Sequence, residues 1–366
     1  MAPVKKIIRG SKPLENANIA EVVRLESPVM LKQRLPAHSA IKKAVLRGRR
    51  IVENILKGVD QRLLVIVGPC SIHDPVAALD YAEHLKELAE QVQDKMFVVM
   101  RMYFEKPRTT TGWQGFLRDP HLDGSFDAPF GLTSARELLL RLLGMGVLPA
   151  TEFVDLITPQ YIDDLVVWGA IGARSAEAQA YRNLASGLGM PVGFKNGTGG
   201  SIQLAVNGVV AANHPSPFFG IDQEGFASLF VSTGNPACHI VLRGSSKGPN
   251  YEEASVKEAE RLLGEAGVAP RFVIDCSHDN SGKDHTRQPL VFQEVLRQRI
   301  NGNPCIAGVM LESHLHEGKQ SLNGNAATLK YGVSITDSCI GWEQTVELLL
   351  EAHRALSGDV LATAKK

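Results

Sequence analysis

Four residues far apart in the sequence carry side chains that transition metals favour. They are a thiol, an imidazole and two carboxylates, at Cys70, His278, Glu312 and Asp337. A mixed sulfur, nitrogen and oxygen set suits Mn²⁺, Fe²⁺, Co²⁺ or Zn²⁺ better than Ca²⁺ or Mg²⁺. Each residue alone also has an ordinary explanation, because a cysteine after a buried strand commonly fills a core and a lone histidine is commonly structural. The residues by themselves leave both a structural role and a divalent-metal site open.

Five basic residues form a second set, and we expect few acidic side chains near them. Guanidinium forks and ammonium groups bind the oxygens of phosphates and carboxylates, so the set predicts a site for phosphorylated, anionic substrates. One alternative stays open, because a lysine among cations can also form a Schiff base, as in class I aldolases, and Lys195 is the candidate for that role. The set consists of Arg101, Lys106, Arg174, Lys195 and Arg243.

The elements that position these residues alternate regularly. Eight continuous apolar runs are typical of parallel strands covered on both faces. They lie at 62–68, 96–102, 147–153, 166–173, 191–195, 238–243, 271–276 and 305–311. Between them, helical patterns lie at about 37–56, 74–93, 133–146, from 158 onward, 251–265, 287–300 and 342–356. Strands alternating with helices favour a closed (β/α)₈ barrel over an open sheet.

Each predicted strand delivers a polar or ionisable residue near its end. Glu152 lies at the end of the third strand, and Asp275 lies at the end of the seventh, just before His278. The chemistry of a (β/α)₈ barrel lies at the C-terminal ends of its strands. Gathering charged side chains at one end of a barrel costs free energy unless a partner compensates their charge. Eight such strand ends together therefore indicate a site that binds a charged ligand.

The remaining segments define the domain organisation. We expect residues 1–50 to form an N-terminal extension that contacts a partner subunit, and residues 51–360 to form the barrel. Two connections are long, at 103–131 and at 214–236, and long connections in a compact domain are commonly functional or inserted. The glycine-rich turn after Lys195 lacks the spacing of a P-loop or a dinucleotide motif.

Composition excludes several classes of function. Lys plus Arg and Asp plus Glu each number 39, so the net charge is zero and neither nucleic acid nor an anionic membrane is an expected partner. No run approaches the roughly 18 apolar residues of a membrane span. The five cysteines are odd in number and scattered, which predicts free thiols in a reducing, cytoplasmic compartment.

Nine long motifs together resemble the class I (type Iα) 3-deoxy-D-arabino-heptulosonate 7-phosphate (DAHP) synthases. The similarity runs from about residue 55 to 357. The motifs are GPCSIHDP (68–75), MRMYFEKPRTTTGWQG (100–115), ATEFVD (150–155), GAIGAR (169–174), PVGFKNGT (191–198), HIVLRG (239–244), IDCSHDNSGK (274–283), ESHLHEGKQS (312–321) and YGVSITDSCIGWE (331–343). One departure is Ser-Ala-Glu-Ala after Arg174, where relatives usually carry Thr-Thr-Glu-Ser.

The resemblance implies condensation of phosphoenolpyruvate with erythrose 4-phosphate, at the entry to the shikimate pathway. It implies one divalent metal, with Mn²⁺ as first choice, held by the four residues named first. Lys106 is the expected proton donor, with Cys70 and His278 beside it. The five cations would hold phosphoenolpyruvate, Glu152 would lie near it through water, and the segment Lys106, Pro107, Arg108 and Thr109 would hold erythrose 4-phosphate.

The resemblance also implies regulation and assembly. Relatives are often inhibited by one aromatic amino acid at a separate pocket, and glycine at position 220 tends to accompany sensitivity to tyrosine. A homodimer or homotetramer is expected, and Cys339 could form an inactivating disulfide with Cys70. A related synthase acting on arabinose 5-phosphate is the nearest alternative, and the KPRTT segment (106–110) favours the four-carbon sugar instead. A non-catalytic barrel would be expected to lose site residues, and every expected site position is occupied. The expected effector residues are Gln160, Gly187, Leu188, Phe218 and Gly220.

Overall fold

Eight parallel strands close into a barrel in the computed structural model, which describes residues 14–322 and 326–358. Each strand lies within a few residues of a predicted apolar run, so the predicted (β/α)₈ architecture is confirmed. The barrel strands are β1 (Leu63–Gly68), β2 (Met96–Arg101), β3 (Pro149–Glu152), β4 (Trp168–Ile171), β5 (Val192–Lys195), β8 (His239–Leu242), β9 (Phe272–Asp275) and β10 (Ile306–Glu312). The first strand pairs with both the second and the last, which closes the barrel.

Helices cover the outside of the barrel. They are α1 (Pro28–Arg34), α2 (Ser39–Leu56), α3 (Pro75–Val92), α4 (Ala128–Met145), α5 (Pro159–Ile162), α6 (Gln179–Gly187), α7 (Ile202–Ala212), α8 (Glu253–Glu265), α9 (Gln288–Ile300) and α10 (Trp342–Leu356). The helical patterns in the sequence do not predict α1, α6 or α7. Asp74 caps α3 by accepting hydrogen bonds from Val76 N and Ala77 N, as its position before a proline predicts.

The predicted start of α4 at Thr133-Ser134 is wrong. The helix begins one turn earlier, because the side chain of Asp127 accepts a hydrogen bond from Phe130 N and supplies the cap. Thr133 lies inside the helix, where its hydroxyl donates to Pro129 O at 2.9 Å. A hydroxyl that bonds back to its own helix does not mark a helix start.

The inserted segment near 214–236 forms a hairpin outside the barrel. Its antiparallel strands are β6 (Pro217–Ile221) and β7 (Ala227–Val231). One face packs inward through Phe218 and Phe230, whose rings stack with centroids 5.2 Å apart. The other face presents Phe219 and Leu229, which are 81% and 60% exposed. The hairpin therefore carries an apolar surface that nothing in the described chain covers.

The N-terminal part of the chain is tied to the barrel by α2. Its Arg49 guanidinium donates to the carbonyl oxygens of Asp163, Val166 and Gly189 at 2.5, 2.9 and 2.9 Å. The expected boundary at residue 50 falls within this helix. Residues 1–13 of the expected extension, and 323–325 and 359–360 of the expected barrel domain, lie outside the described residues.

No described helix is both long and apolar enough to cross a membrane.

Close packing inside the barrel yields a stability prediction. A Cβ added at Gly193 of β5 would lie 2.6 Å from atoms of Trp168 and Val241. We expect Gly193→Ala to lower the free energy of unfolding by about 1–3 kcal/mol, the usual cost of overpacking. Urea denaturation followed by circular dichroism measures it.

A glycine-to-alanine substitution at a position without close neighbours is the control. A Cβ at Gly144, in the last turn of α4, would meet no atom within 4 Å. Gly144→Ala should leave stability unchanged or raise it by up to about 1 kcal/mol. Equal stability of wild type and Gly193→Ala would contradict the packing argument.

Candidate active site

A cavity of about 270 Å³ opens at the C-terminal ends of the barrel strands. Ten of the predicted site residues line it, namely Lys106, Pro107, Arg108, Thr109, Glu152, Arg174, Lys195, Arg243, His278 and Asp337. Cys70, Arg101 and Glu312 lie below it and are buried. Strand-end reasoning missed several further lining residues, namely Tyr103, Thr110, Thr111, Gly172, Ala173, Thr198 and Lys283. The missed threonines and Lys283 follow other site residues closely in the chain, which is the signal that could have found them.

Three of the four predicted metal ligands converge at the floor of the cavity. The ligand atoms of Cys70, Glu312 and Asp337 all lie within 4.8 Å of one another. Cys70 Sγ is 3.7 Å from Asp337 Oδ2 and accepts a hydrogen bond from Asp337 N at 3.3 Å. Barrel closure brings them together, since Gly68 at the end of β1 pairs with Glu312 at the end of β10.

His278, the fourth predicted ligand, stands at the edge of this cluster. Its Nε2 lies 3.8 Å from Glu312 Oε1, and its Nδ1 lies 2.8 Å from Asp275 Oδ2. A carboxylate beside Nδ1 favours the proton there and leaves Nε2 free to bind a metal. His278 has a φ of 51°, unusual for a residue other than glycine. Asp275 is therefore a supporting residue that strand-end reasoning placed at the rim without a role.

The electrostatics of the cluster fit a divalent cation. Burial raises the pKa of the Cys70 thiol to about 12, and metal coordination is the usual way to hold such a thiol as thiolate. Burial alone would raise the pKa of Asp337 as well, but Lys106 and His278 outweigh it and lower that pKa to about 2. Sulfur, imidazole nitrogen and two carboxylates match the ligand preferences of borderline divalent ions.

The cations at the rim are paired more closely than the sequence predicted. Arg101 contacts Glu312 at 3.0 Å, and its guanidinium carbon lies 3.9 Å above the Tyr103 ring. Lys195 Nζ lies 2.9 Å from Glu152 Oε2 and 3.9 Å from Asp275 Oδ2. The expectation of few neighbouring anions is wrong, because buried cations are stable only beside compensating charge.

Arg243 and Arg174 complete the cation set on two further strand ends. Arg243 pairs with Asp279, an acidic partner that the sequence analysis did not single out. Arg174, which is exposed, donates to the hydroxyl of Thr109 at 2.9 Å. That bond joins the end of β4 to the segment after β2, so the two predicted substrate-binding regions face one cavity.

Lys106 is held over the cluster of predicted metal ligands by its own loop. Its Nζ lies 3.1 Å from Cys70 Sγ, and its backbone N–H donates to Gln114 O at 3.0 Å. The preceding side chain, Glu105, accepts hydrogen bonds from Val154 N and from the Thr158 hydroxyl at 3.2 and 3.0 Å. Burial raises the pKa of Glu105 to about 7. The loop therefore places an ammonium group between the cluster of predicted metal ligands and the open cavity.

The predicted effector residues lie away from the cavity and gather at the hairpin. A Cβ at Gly187 would lie 3.2 Å from the Phe218 ring, and one at Gly220 would lie 3.1 Å from the Phe230 ring. Gln160 Oε1 accepts a hydrogen bond from Gln223 of the hairpin turn at 2.7 Å. Leu188 is buried beside Gly187.

Cys339, His314 and His316 follow the site residues Asp337 and Glu312 closely in the chain. Cys339 and Cys70 are both buried free thiols. His314 is buried with its ring against those of His73 and Tyr81, and His316 is exposed. Neither histidine lines the active-site cavity described above.

Comparisons with known proteins agree with this geometry. The chain is 50% identical over 347 residues to the Tyr-sensitive phospho-2-dehydro-3-deoxyheptonate aldolase of Salmonella typhimurium, covering 95% of this chain and 97% of that protein. It is 48% identical to the Phe-sensitive protein of Escherichia coli, covering 93% and 97%. A solved phospho-2-dehydro-3-deoxyheptonate aldolase from Francisella tularensis superposes with a TM-score of 0.91 at 42% identity, covering 94% and 100%.

The profile of the DAHP synthetase I family matches residues 28–350, which include the whole barrel and every residue of the cavity and its floor. With this match and relatives of such identity along nearly all of its length, the chain belongs to the DAHP synthetase I family.

Proposed function

We propose that this protein is a DAHP synthase. It condenses phosphoenolpyruvate with D-erythrose 4-phosphate and water, giving DAHP and inorganic phosphate, as the first step of the shikimate pathway to aromatic amino acids. One observation carries the proposal: a thiol, imidazole and carboxylate cluster adjoins five cations at a single barrel mouth. Membership of the DAHP synthetase I family supports the same reaction.

The cavity has room and charge for two anions side by side. Arg101, Lys106, Arg174, Lys195 and Arg243 hold the carboxylate and phosphate of phosphoenolpyruvate, with Glu152 close by. The segment of Lys106, Pro107, Arg108 and Thr109, whose last two residues are exposed, holds the phosphate end of erythrose 4-phosphate. The hydrogen bond between Arg174 and Thr109 joins the two regions. Holding both substrates in one orientation removes much of the entropic cost of a bimolecular step.

Lys106 is the proton donor for the new alcohol. Carbon C3 of phosphoenolpyruvate attacks the aldehyde carbon of erythrose 4-phosphate, and the Lys106 ammonium transfers a proton to the aldehyde oxygen as the C–C bond forms. Water then adds at C2 and gives one proton back to the Lys106 amine. Phosphate leaves with cleavage of its bond to C2 and takes the second water proton as the C2 carbonyl forms. The guanidinium groups hold the carboxylate and phosphate oxygens in place throughout.

One divalent metal, with Mn²⁺ as first choice and Fe²⁺, Co²⁺ or Zn²⁺ as substitutes, belongs at Cys70, His278, Glu312 and Asp337. A cation held there supplies Lewis acidity, either to the aldehyde oxygen or to the water. The convergence of three ligands within 4.8 Å and the orientation of His278 by Asp275 support this site. The pairing of Lys195 with two carboxylates favours anion binding over a Schiff-base role.

An aromatic amino acid, tyrosine by preference, binds at the hairpin as feedback inhibitor. Gln160, Gly187, Leu188, Phe218 and Gly220 form this site. The two glycines lie so close to the Phe218 and Phe230 rings that an added Cβ would be 3.2 and 3.1 Å from them, so a side chain at either position would crowd this site. The names of the Tyr-sensitive relatives support the choice of effector.

The protein assembles as a homodimer or homotetramer in the cytoplasm. The exposed apolar face of the hairpin, with Phe219 and Leu229, and the exposed Val22 and Val23 of the N-terminal arm supply contact surface. Five free cysteines, all buried, are compatible with a reducing compartment.

Phosphate release tests the reaction and its metal. Purified protein given phosphoenolpyruvate and erythrose 4-phosphate should release phosphate, lose that activity with a chelator, and regain it with Mn²⁺. His278→Ala should lose bound metal and turnover while keeping its circular dichroism spectrum. The matched variant His316→Ala changes an exposed histidine outside the cavity and should keep both.

The same assay separates the Schiff-base mechanism from the metal-dependent one. Full activity of His278→Ala in chelator would contradict the metal role. Borohydride trapping of substrate on Lys195 would instead indicate a Schiff-base aldolase.

Lys106→Gln tests the proton donor. Removing a positioned acid typically costs about 10²–10⁴-fold in rate, so kcat should fall by at least about a hundredfold. Lys257→Gln, which removes an exposed lysine of α8, should leave steady-state kinetics unchanged. A change confined to KM would make Lys106 a substrate-binding residue and not an acid.

Inhibition assays with each aromatic amino acid test the effector. Tyrosine should inhibit wild-type protein more strongly than phenylalanine. Gly220→Ser should weaken inhibition by tyrosine and leave uninhibited turnover unchanged, since the added Cβ points toward Phe230 at 3.1 Å. Stronger inhibition by phenylalanine than by tyrosine in the wild type would refute the assignment.

A further inference from the structure

Three asparagines below the rim of the cavity are almost completely buried. Asn196 follows β5, Asn250 precedes α8 and Asn280 follows β9; they are 0%, 7% and 1% exposed. None of the three lines the active-site cavity. A buried primary amide is costly unless its hydrogen bonds are satisfied. The three asparagines form most of their hydrogen bonds with one another and with the backbone at the ends of three barrel strands. We call these three residues the asparagine network.

Asn196 uses every hydrogen-bonding position of its side chain. Its Oδ1 accepts from Arg243 N at 2.8 Å and from Asn250 Nδ2 at 3.0 Å. Its Nδ2 donates to Gly197 O at 3.1 Å and to Gly244 O at 2.9 Å. An amide offers two donor hydrogens and two acceptor positions, so Asn196 has no bond to spare for a ligand. Because Asn196 directly follows Lys195, its side chain ties the end of β5 to the backbone of Arg243.

Asn250 and Asn280 extend the network to β9. Asn250 Oδ1 accepts from Gly244 N, and Asn250 N donates to Asn280 Oδ1, both at 2.7 Å. Asn280 Nδ2 donates to Leu242 O at 3.2 Å and to Asp275 O at 2.8 Å. Gly244 has a φ of 74°, and a Cβ there would lie 2.5 Å from Asn280 N. The backbone therefore approaches so closely that only glycine fits.

The network joins the three strand ends that carry one wall of the site. Lys195 ends β5, Arg243 follows β8, and Asp275, which faces His278, ends β9. The strands pair through only two or three residues here, with Leu242 opposite Ile274 as the last pair between β8 and β9. Beyond those pairs, the side chains of Asn196 and Asn250 accept hydrogen bonds from the backbone N–H groups of Arg243 and Gly244. Asp279 N also donates to Arg243 O, at 3.2 Å.

We propose that the asparagine network is a positioning element for phosphoenolpyruvate: it fixes Lys195 and Arg243 at the spacing that the anion requires. The three asparagines are positioning residues, because they act through the backbone and none of them lines the cavity. Asn196 directly follows Lys195 and accepts from Arg243 N. Asn250 and Asn280 bind the backbone of Gly244 and Leu242, the residues on either side of Arg243. The proposal rests on the proposed function, since it names the wall that holds one of the two substrates. Erythrose 4-phosphate binds chiefly to the segment after β2, which the network does not touch.

Asn250→Asp tests the proposal with almost no change of shape. It keeps the acceptor for Gly244 N but places a carboxylate oxygen against Asn196 Oδ1, where a donor stood. We expect the Kd for phosphoenolpyruvate, from isothermal titration calorimetry without the second substrate, to rise about 10–100-fold, as when a supporting partner is lost. KM for phosphoenolpyruvate should rise in parallel, and KM for erythrose 4-phosphate should stay at the wild-type value.

Asn235→Asp is the matched control. Asn235 is 6% exposed, and its Nδ2 donates to the carbonyl oxygens of Ala185, Leu188 and Met190 at 3.1, 3.2 and 2.9 Å. It lies before β8, at the opposite end of that strand from Arg243. This variant should lower the melting temperature about as much as Asn250→Asp while leaving both KM values and the Kd unchanged.

Several results would overturn the positioning role. Wild-type affinity for phosphoenolpyruvate in Asn250→Asp, an equal loss in Asn235→Asp, or a parallel rise of both KM values would each do so. If Asn250→Asp does not fold, Asn250→Ser removes the donor without adding charge and is judged by the same measurements. A wild-type protein that neither binds phosphoenolpyruvate nor releases phosphate would contradict the proposed function instead.

Discussion

The buried ion pair between Arg101 and Glu312 is the interaction on which the site depends. The two side chains are 0% and 1% exposed and lie 3.0 Å apart. Loss of one partner of such a pair typically costs about 3–5 kcal/mol, because the other charge stays buried without compensation. Glu312 belongs to the cluster that fits a metal, and Arg101 to the cations that fit an anion. The pair therefore makes the two halves of the site a single electrostatic unit.

Closure of the barrel creates that unit. Pairing of β1 with β10 brings the chain around Cys70 beside Glu312, and the loop before α10 then adds Asp337, 267 residues away from Cys70. The floor of the cavity is thus assembled from both ends of the barrel sequence. Apolar strands buried on both faces supply the stability, and the charged residues lie only where those strands stop.

Uncharged side chains hold the charged ones in place. Gln288 of α9 binds both backbone groups of Glu312, donating to its carbonyl oxygen at 3.0 Å and accepting from its N–H at 2.9 Å. The asparagine network does the same for the strand ends that carry Lys195 and Arg243. Amide side chains add no charge to a barrel end that already holds many charged groups. Because each amide both donates and accepts hydrogen bonds, it fixes the orientation of the bound backbone as well as its distance.

The sequence by itself determined the alternation of strands and helices, the strand ends that carry chemistry and the resemblance to a family. These are readable because apolar periodicity and residue type are local properties. Only the tertiary structure decided how the charges pair, that Asp279 compensates Arg243 and that Asp275 faces His278. It also decided that Asp127 caps α4 and that residues 217–231 form a hairpin. Contacts between distant residues depend on barrel closure and register, which no local pattern encodes.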